Sequence, residues 1–377
     1  MARIIKLIAA TALSAFSIAA GATTYTATFE NVKSVFSLAQ DGDKINFVGE
    51  FGLTRLMNRS FAGAVTIDAS AATFTDTLYI KNVSGLQVVN GNYGSASSTT
   101  TYNKGVAIYG GSNIAFINPS VVGYYGGYGI AFDGTTGATV QGGDFTKLRA
   151  GIIMYRVANG NILQNNSTAS INDGFNITDS ANILIEGNRC TGSTPLVGHH
   201  PDCVQIWNSV GMPVSRDIMV RNNYASGMTQ GFNNFGSSPG STRISFIDNR
   251  VDGLFPQGIA CENCVDSVIT GNVMTTMDGA PWRVSINARN RVNTLVANNT
   301  VGALNRSAAR TLSFYTRQQL IDRDVIATLT ARDVIATATA AAVPEPGEWA
   351  MLFTGFGLIG VTLRRRSVAA GARTCSA

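Results

Sequence analysis

The chain has 377 residues, of which 14% are charged, with 40 glycines, nine prolines and five cysteines. Its formal net charge is +5, but Arg3, Lys6, Arg364, Arg365, Arg366, Arg373 and Glu348 lie in end segments that read as signals, so the body is close to neutral. That balance removes the basic surface on which nucleic-acid binding depends, and five cysteines are too few to hold together a core of this size.

Residues 1–22 have the make-up of a secretory signal peptide. Arg3 and Lys6 precede the apolar run "LIAATALSAFSIAA", and Ala20-Gly21-Ala22 offers a cleavage site before Thr23. The run is too short and too rich in small residues for a good membrane span, so the mature chain is expected outside the cytoplasm. Residues 23–43 follow as an N-terminal cap, with one amphipathic helix predicted in "NVKSVFSLAQDGD" (Asn31–Asp43).

From residue 44 to 303 short β-type runs alternate with Asn, Gly, Ser and Asp. Gly105, Gly129, Gly151, Gly174, Cys203, Gly231, Gly258 and Arg283 each precede an alternating run, at intervals of 24, 22, 23, 29, 28, 27 and 25 residues. A second run in most units ends in asparagine, giving a column at Asn166, Asn188, Asn223, Asn249, Asn272 and Asn299. A strand repeated once per unit of this length stacks in parallel on its neighbour, and an asparagine repeated at one bend ladders its amides from turn to turn. The pattern resembles the right-handed parallel β-helix of pectate lyases, polygalacturonases and alginate epimerases. The resemblance implies an all-β fold: a right-handed, single-stranded parallel β-helix of about 9–10 turns with an N-terminal capping helix. A β-propeller fits less well, because its blades need about 40 residues or more.

Stacking the units converts sequence into columns. Positions +1 and +3 from the anchors are nearly always apolar, Asn234 being an exception, and are expected inside; positions −1, +2 and +4 are expected outside. The −1 column brings Asp173 next to Asp202, about one strand spacing apart. Carboxylates that close share a proton, hold a cation such as Ca²⁺, or bond to backbone. The +2 column holds Asn176, Gln205 and Asn233, and the +4 column holds Tyr155, Trp207 and Phe235, an aromatic track suited to sugar rings. In the last unit the columns end on Trp282, Ser285 and Asn287.

The unit before Cys203 is enlarged by "CTGSTPLVGHHPD", which delivers the only two histidines, His199 and His200, to that face. His200 is the better base on sequence, since Pro201 fixes its approach to Asp202, and His199 reads as solvated. Lys147 and Arg149 approach the same edge. Cys190 and Cys203 bracket the enlarged loop and would staple it if bridged; Cys261 and Cys264 read as buried thiols or a local bridge, not zinc ligands.

The segment "DGFNITDSANILIEGNRCTG" followed by "PDCVQI" is similar to the polygalacturonase strand series, but Pro201 stands where the first catalytic acid of that family falls and no later histidine exists. Alginate epimerases carry Asp-Pro-His where this chain has the reverse, His-Pro-Asp. The resemblance implies a carbohydrate-active enzyme, a lyase or C5 epimerase on an acidic, uronic-acid-containing polysaccharide. In that reading Lys147 and Arg149, or Ca²⁺ on Asp173 and Asp202, neutralise the uronate. His200 is the base, oriented by Asp202; Tyr155 is an acid; Gln205, Asn176, Trp207 and Phe235 bind sugars. The alternatives are a non-catalytic glycan-binding or matrix protein and a glycoside hydrolase using Asp173 and Asp202.

Residues 304–342 break the repeat with the echo "RDVIATLTARDVIATAT" and read as a C-terminal cap and tether. Residues 343–377 then run "VPEPGEWAMLFTGFGLIGVTLRRR" into a basic tail. This resembles a PEP-CTERM sorting signal, which implies an exosortase as processing partner, transient membrane anchoring through residues 349–363, and a monomer in the cell envelope or secreted.

Overall fold

The computed structural model describes residues 21–94, 104–236, 240–303 and, further on, 315–316, 318–321 and 323. The signal peptide, except for its last two residues, and the sorting signal lie outside the described residues. The chain forms a parallel β-solenoid of about 11 coils. From Lys104 to Thr276 each coil contributes three short strands, each pairing in parallel with its counterpart one coil on, so the solenoid has three faces; the earlier strands are longer, Thr54–Phe74 running 21 residues.

The site face carries Lys104–Tyr109, Tyr128–Asp133, Ala150–Tyr155, Asp173–Thr178, Asp202–Trp207, Gln230–Phe235 and Gln257–Glu262 in successive coils. Alternation dictates which residues enter the core: Phe175, Ile177, Val204, Ile206 and Phe232 are fully buried. Glycine at the anchor is required where coils meet. A Cβ on Gly129 or Gly231 would collide with the carbonyl of Gly151 or Gly258 on the next coil. At Cys203 that crowding is resolved differently, by a disulfide to Cys190. Cys261 and Cys264 are bridged as well.

The asparagine column is a continuous ladder. The side-chain Nδ2 of each residue donates to Oδ1 of the next, from Asn188 to Asn223 at 2.9 Å and from Asn223 to Asn249 at 3.0 Å. It continues from Asn249 to Asn272 at 3.0 Å and from Asn272 to Asn299 at 2.9 Å. Its first rung is Asn165, not Asn166. Asn166 pairs with Arg189 on the third face and is exposed, whereas Asn165 is buried and donates to Asn188.

A helix at Val32–Leu38 buries Val32, Val35 and Phe36 over the first coils. At the other end the register departs from the sequence columns. A bulge between Gln257 and Ile259 places Gln257 opposite Ser285 and Ala260 opposite Asn287, so Trp282 leaves the −1 row.

Candidate functional site

The strand registers bring the expected columns together. Asn176 lies opposite Gln205 and Gln205 opposite Asn233; Tyr155 lies opposite Thr178 and Thr178 opposite Trp207. The −1 row differs from expectation in one respect: Asp173, Asp202 and Gln230 are buried, as is Asn233 of the +2 row. Neighbouring amides cover them. Asn176 donates to Asp173 Oδ2 and to Gln205 Oε1, both at 2.9 Å. Gln205 donates to Asp202 Oδ2 at 3.0 Å, and Asn233 to Asp202 Oδ1 at 2.6 Å. Buried polar atoms need such partners, and here they form one lattice along the face.

The lattice fixes the aromatic platform. Trp207 is 40% exposed, and its indole N–H donates to Asn176 Oδ1 at 3.0 Å. Phe235 is half-buried and edges His200 at 6.3 Å between ring centroids. Tyr155 lies two coils before Trp207, beneath the Arg156 guanidinium at 4.5 Å. The buried Thr178 stands between them, so the aromatic track is interrupted there.

The enlarged loop lays both histidines over this face. His200 Nδ1 stands 3.6 Å from Asp202 Oδ2, with the His200 side chain 18% exposed. Burial alone pulls its pKa down, but the adjacent Asp202 carboxylate and the charge of Asp173 outweigh it, and the net shift is upward. His199 behaves oppositely. Burial, then the charges of Arg149 and His200, lower its pKa. Its Nδ1 meets Asn172 Oδ1 at 3.0 Å, while Asn172 Nδ2 donates to Asp173 Oδ2 at 3.2 Å. Asn172 therefore presents an acceptor, Nδ1 of His199 carries the proton, and Nε2 keeps the lone pair. His199 is thus half-buried and hydrogen-bonded, not the solvated residue expected from sequence. The signal was Asn172, a loop amide next to a −1 carboxylate, which column reasoning passes over.

Arg149 ends the turn before Ala150, which pairs with Asp173, and its charge reaches His199. Lys147 sits in the same bend at positive φ, its Nζ 5.7 Å from the Tyr125 ring centroid.

The carboxylate pair is not built for calcium. Both oxygens of Asp202 and one of Asp173 take amide N–H donors, and Ca²⁺ needs six to eight oxygens. Among the described residues no three His, Cys, Asp or Glu cluster as a metal site. The environment suits a proton instead: burial and then the charge of Asp202 push the Asp173 pKa up to about 7.

A family model described as periplasmic copper-binding protein (NosD) matches residues 61–195. No curated protein matches the sequence. Among solved structures the chain is similar to PfbA, a surface adhesin of Streptococcus pneumoniae, at 12% identity over 75% of this chain and 91% of that one, with a TM-score of 0.43. The endo-xylogalacturonan hydrolase of Aspergillus tubingensis shares 11% identity over 78% and 100% of the two chains, with a TM-score of 0.45. DFA-IIIase from Arthrobacter chlorophenolicus A6 shares 12% identity over 84% and 90%, with a TM-score of 0.47.

Proposed function

We propose that this is an exported carbohydrate-active β-solenoid protein that acts on a uronic-acid-containing polysaccharide by abstracting C5–H, as a lyase or C5 epimerase. One observation carries the reading: two adjacent histidines whose pKa values are displaced in opposite directions, set above a row of buried carboxylates. Titratable neighbours driven apart in this way divide acid from base.

His199, kept neutral with Nε2 bare, takes the C5 proton. Arg149 faces the uronate carboxylate and stabilises the charge that builds there. His200, held as an imidazolium by Asp202, gives its proton to the leaving C4 oxygen. The electrons of the C5–H bond become the C4–C5 double bond as the C4–O bond breaks. In epimerisation a proton returns to C5 from the opposite face instead. Trp207, with Asn176 and Gln205, positions the sugar rings, and Phe235, Tyr155 and Lys147 flank them. The sequence alone favours His200 as base, but its raised pKa suits proton donation better.

Export fits two disulfides in a chain this size, since such bonds persist in oxidising compartments. Exosortase processing of the C-terminal signal belongs to the same reading. Copper binding does not: residues 61–195 contain no histidine, and their one cysteine, Cys190, is bridged.

Incubation of the purified protein with uronate polymers tests the proposal. Elimination yields unsaturated, ultraviolet-absorbing ends, and epimerisation changes sugar composition without shortening; His199→Ala removes either. Reducing ends without unsaturation make it a hydrolase. Binding with no product leaves the exposed Trp207 as the platform of a glycan-binding protein and sinks the enzyme reading.

A further inference from the structure

The loop that carries the histidines, residues 192–201, is pinned from an unexpected direction. Its base is closed by the Cys190–Cys203 disulfide. Its middle pairs with Tyr315, more than a hundred residues later: Val197 N–H donates to the Tyr315 carbonyl at 3.0 Å, and Tyr315 N–H to the Pro195 carbonyl at 3.2 Å. Leu196 and Tyr315 form a parallel bridge.

The residues just after Tyr315 are built to hold that contact. Thr316 and Gln319 make a reciprocal capping box: Thr316 N–H donates to Gln319 Oε1 at 2.7 Å, and Gln319 N–H to Thr316 Oγ1 at 3.2 Å. The helical turn so started buries Leu320 against Tyr125 and Ile171, with Leu196, Tyr315 and Ile321 packed around them. This satellite core is separate from the main one. Tyr125 and Ile171 lie in the bends that precede Tyr128–Asp133 and Asp173–Thr178, and the Lys147 ammonium caps the Tyr125 ring. The buried Leu320 side chain is the apolar anchor of the segment.

We infer that Tyr315 and Leu320 are positioning residues: their segment braces the histidine loop against the solenoid and sets where His199 and His200 stand. Neither residue is part of a coil, so the coils do not need them to form. The inference holds whatever reaction the histidines perform.

The two imidazoles, being the only ones in the chain, can be followed individually by NMR as a function of pH in the full-length protein. In the wild type His199 titrates below, and His200 above, the ordinary value of about 6.5. Those displacements depend on the burial of both rings and on Arg149, Asp202 and Asp173, which the braced loop holds the rings against. Leu320→Asp and Tyr315→Pro, made separately, are each expected to draw the two titrations together, with the melting of the solenoid unchanged. Titrations that stay apart in both variants overturn the inference. So does a melting temperature that falls in step with them, because the segment would then serve general stability. No substrate or turnover is involved, so the result stands apart from the polysaccharide reading.

Discussion

Asp173 and Asp202 occupy the same row on successive coils, yet their oxygens are treated unequally. Both oxygens of Asp202 accept amide hydrogen bonds, whereas Asp173 Oδ1 is buried without a hydrogen-bond partner among the described residues. A carboxylate prefers the site that solvates its charge, so of the two Asp173 takes up a proton the more readily.

This asymmetry has a thermal signature. A carboxyl whose pKa is raised on folding lends its full stability below the unfolded value near 4 and loses it as pH rises through about 7. Asp173→Asn keeps an acceptor for Asn172 and Asn176 and removes the charge. Its melting temperature relative to wild type is therefore expected to climb between pH 4 and pH 8, reaching a gain on the order of 2 kcal/mol. A flat difference across that range would place the proton elsewhere.

Asp202→Asn acts on His200. Without the partner, burial, the largest influence on the imidazole, is opposed only by the weaker charge of Asp173, and the pKa drops. The pH–rate profile of the wild type should rise as His199 loses its proton, below about 6.5, and fall as His200 does, above it. In Asp202→Asn the alkaline limb moves to lower pH, and activity at pH 7 falls by roughly tenfold or more. An alkaline limb that does not move removes His200 from proton donation.

Trp207→Ala removes an exposed ring whose indole N–H is tied to the fold through Asn176. Weakening of polymer binding by roughly fivefold, with an unchanged melting temperature, is expected from the loss of one stacking platform of about 1 kcal/mol. Affinity electrophoresis in gels containing the polymer reads this directly.

The ladder supplies a paired control. Asn223→Ala breaks rungs on both sides, taking the acceptor from two buried Asn188 donors and a donor from Asn249 Oδ1, and should cost about 2–4 kcal/mol in denaturant melts. Asn166→Ala, one residue from a rung but exposed, should cost less than about 0.5 kcal/mol.

These residues also mark how far the sequence can be read. Periodicity locates the coils because each anchor must be small and each +1 and +3 side chain apolar, a constraint repeated in nearly every turn. It places Asn176, Gln205, Tyr155 and Trp207 in their rows for the same reason. It fails by one residue at Asn165, where two adjacent asparagines make the bend ambiguous. It fails at the bulge after Gln257, which no local residue announces. It also treats the −1 row as solvent-facing, because a column does not reveal that neighbouring amides will fold over Asp173 and Asp202. The status of His199 and the docking of Tyr315 depend on long-range contacts between irregular segments, which leave no periodic trace.

The enlarged coil inserts its extra residues without disturbing the stack: Cys190 still pairs with Ala225, and Asn176 with Gln205, as in coils of ordinary length. Residues 192–201 therefore behave as a cassette, clipped in by one covalent bond at its base and one short strand contact at its middle. Lineages could exchange such an insert for another, and with it the reaction, while the scaffold beneath stays folded. Transplanting Cys190–Cys203 together with the Tyr315 segment would carry the histidines alone; the receiving coils must already present Arg149, Asn172 and Asp173.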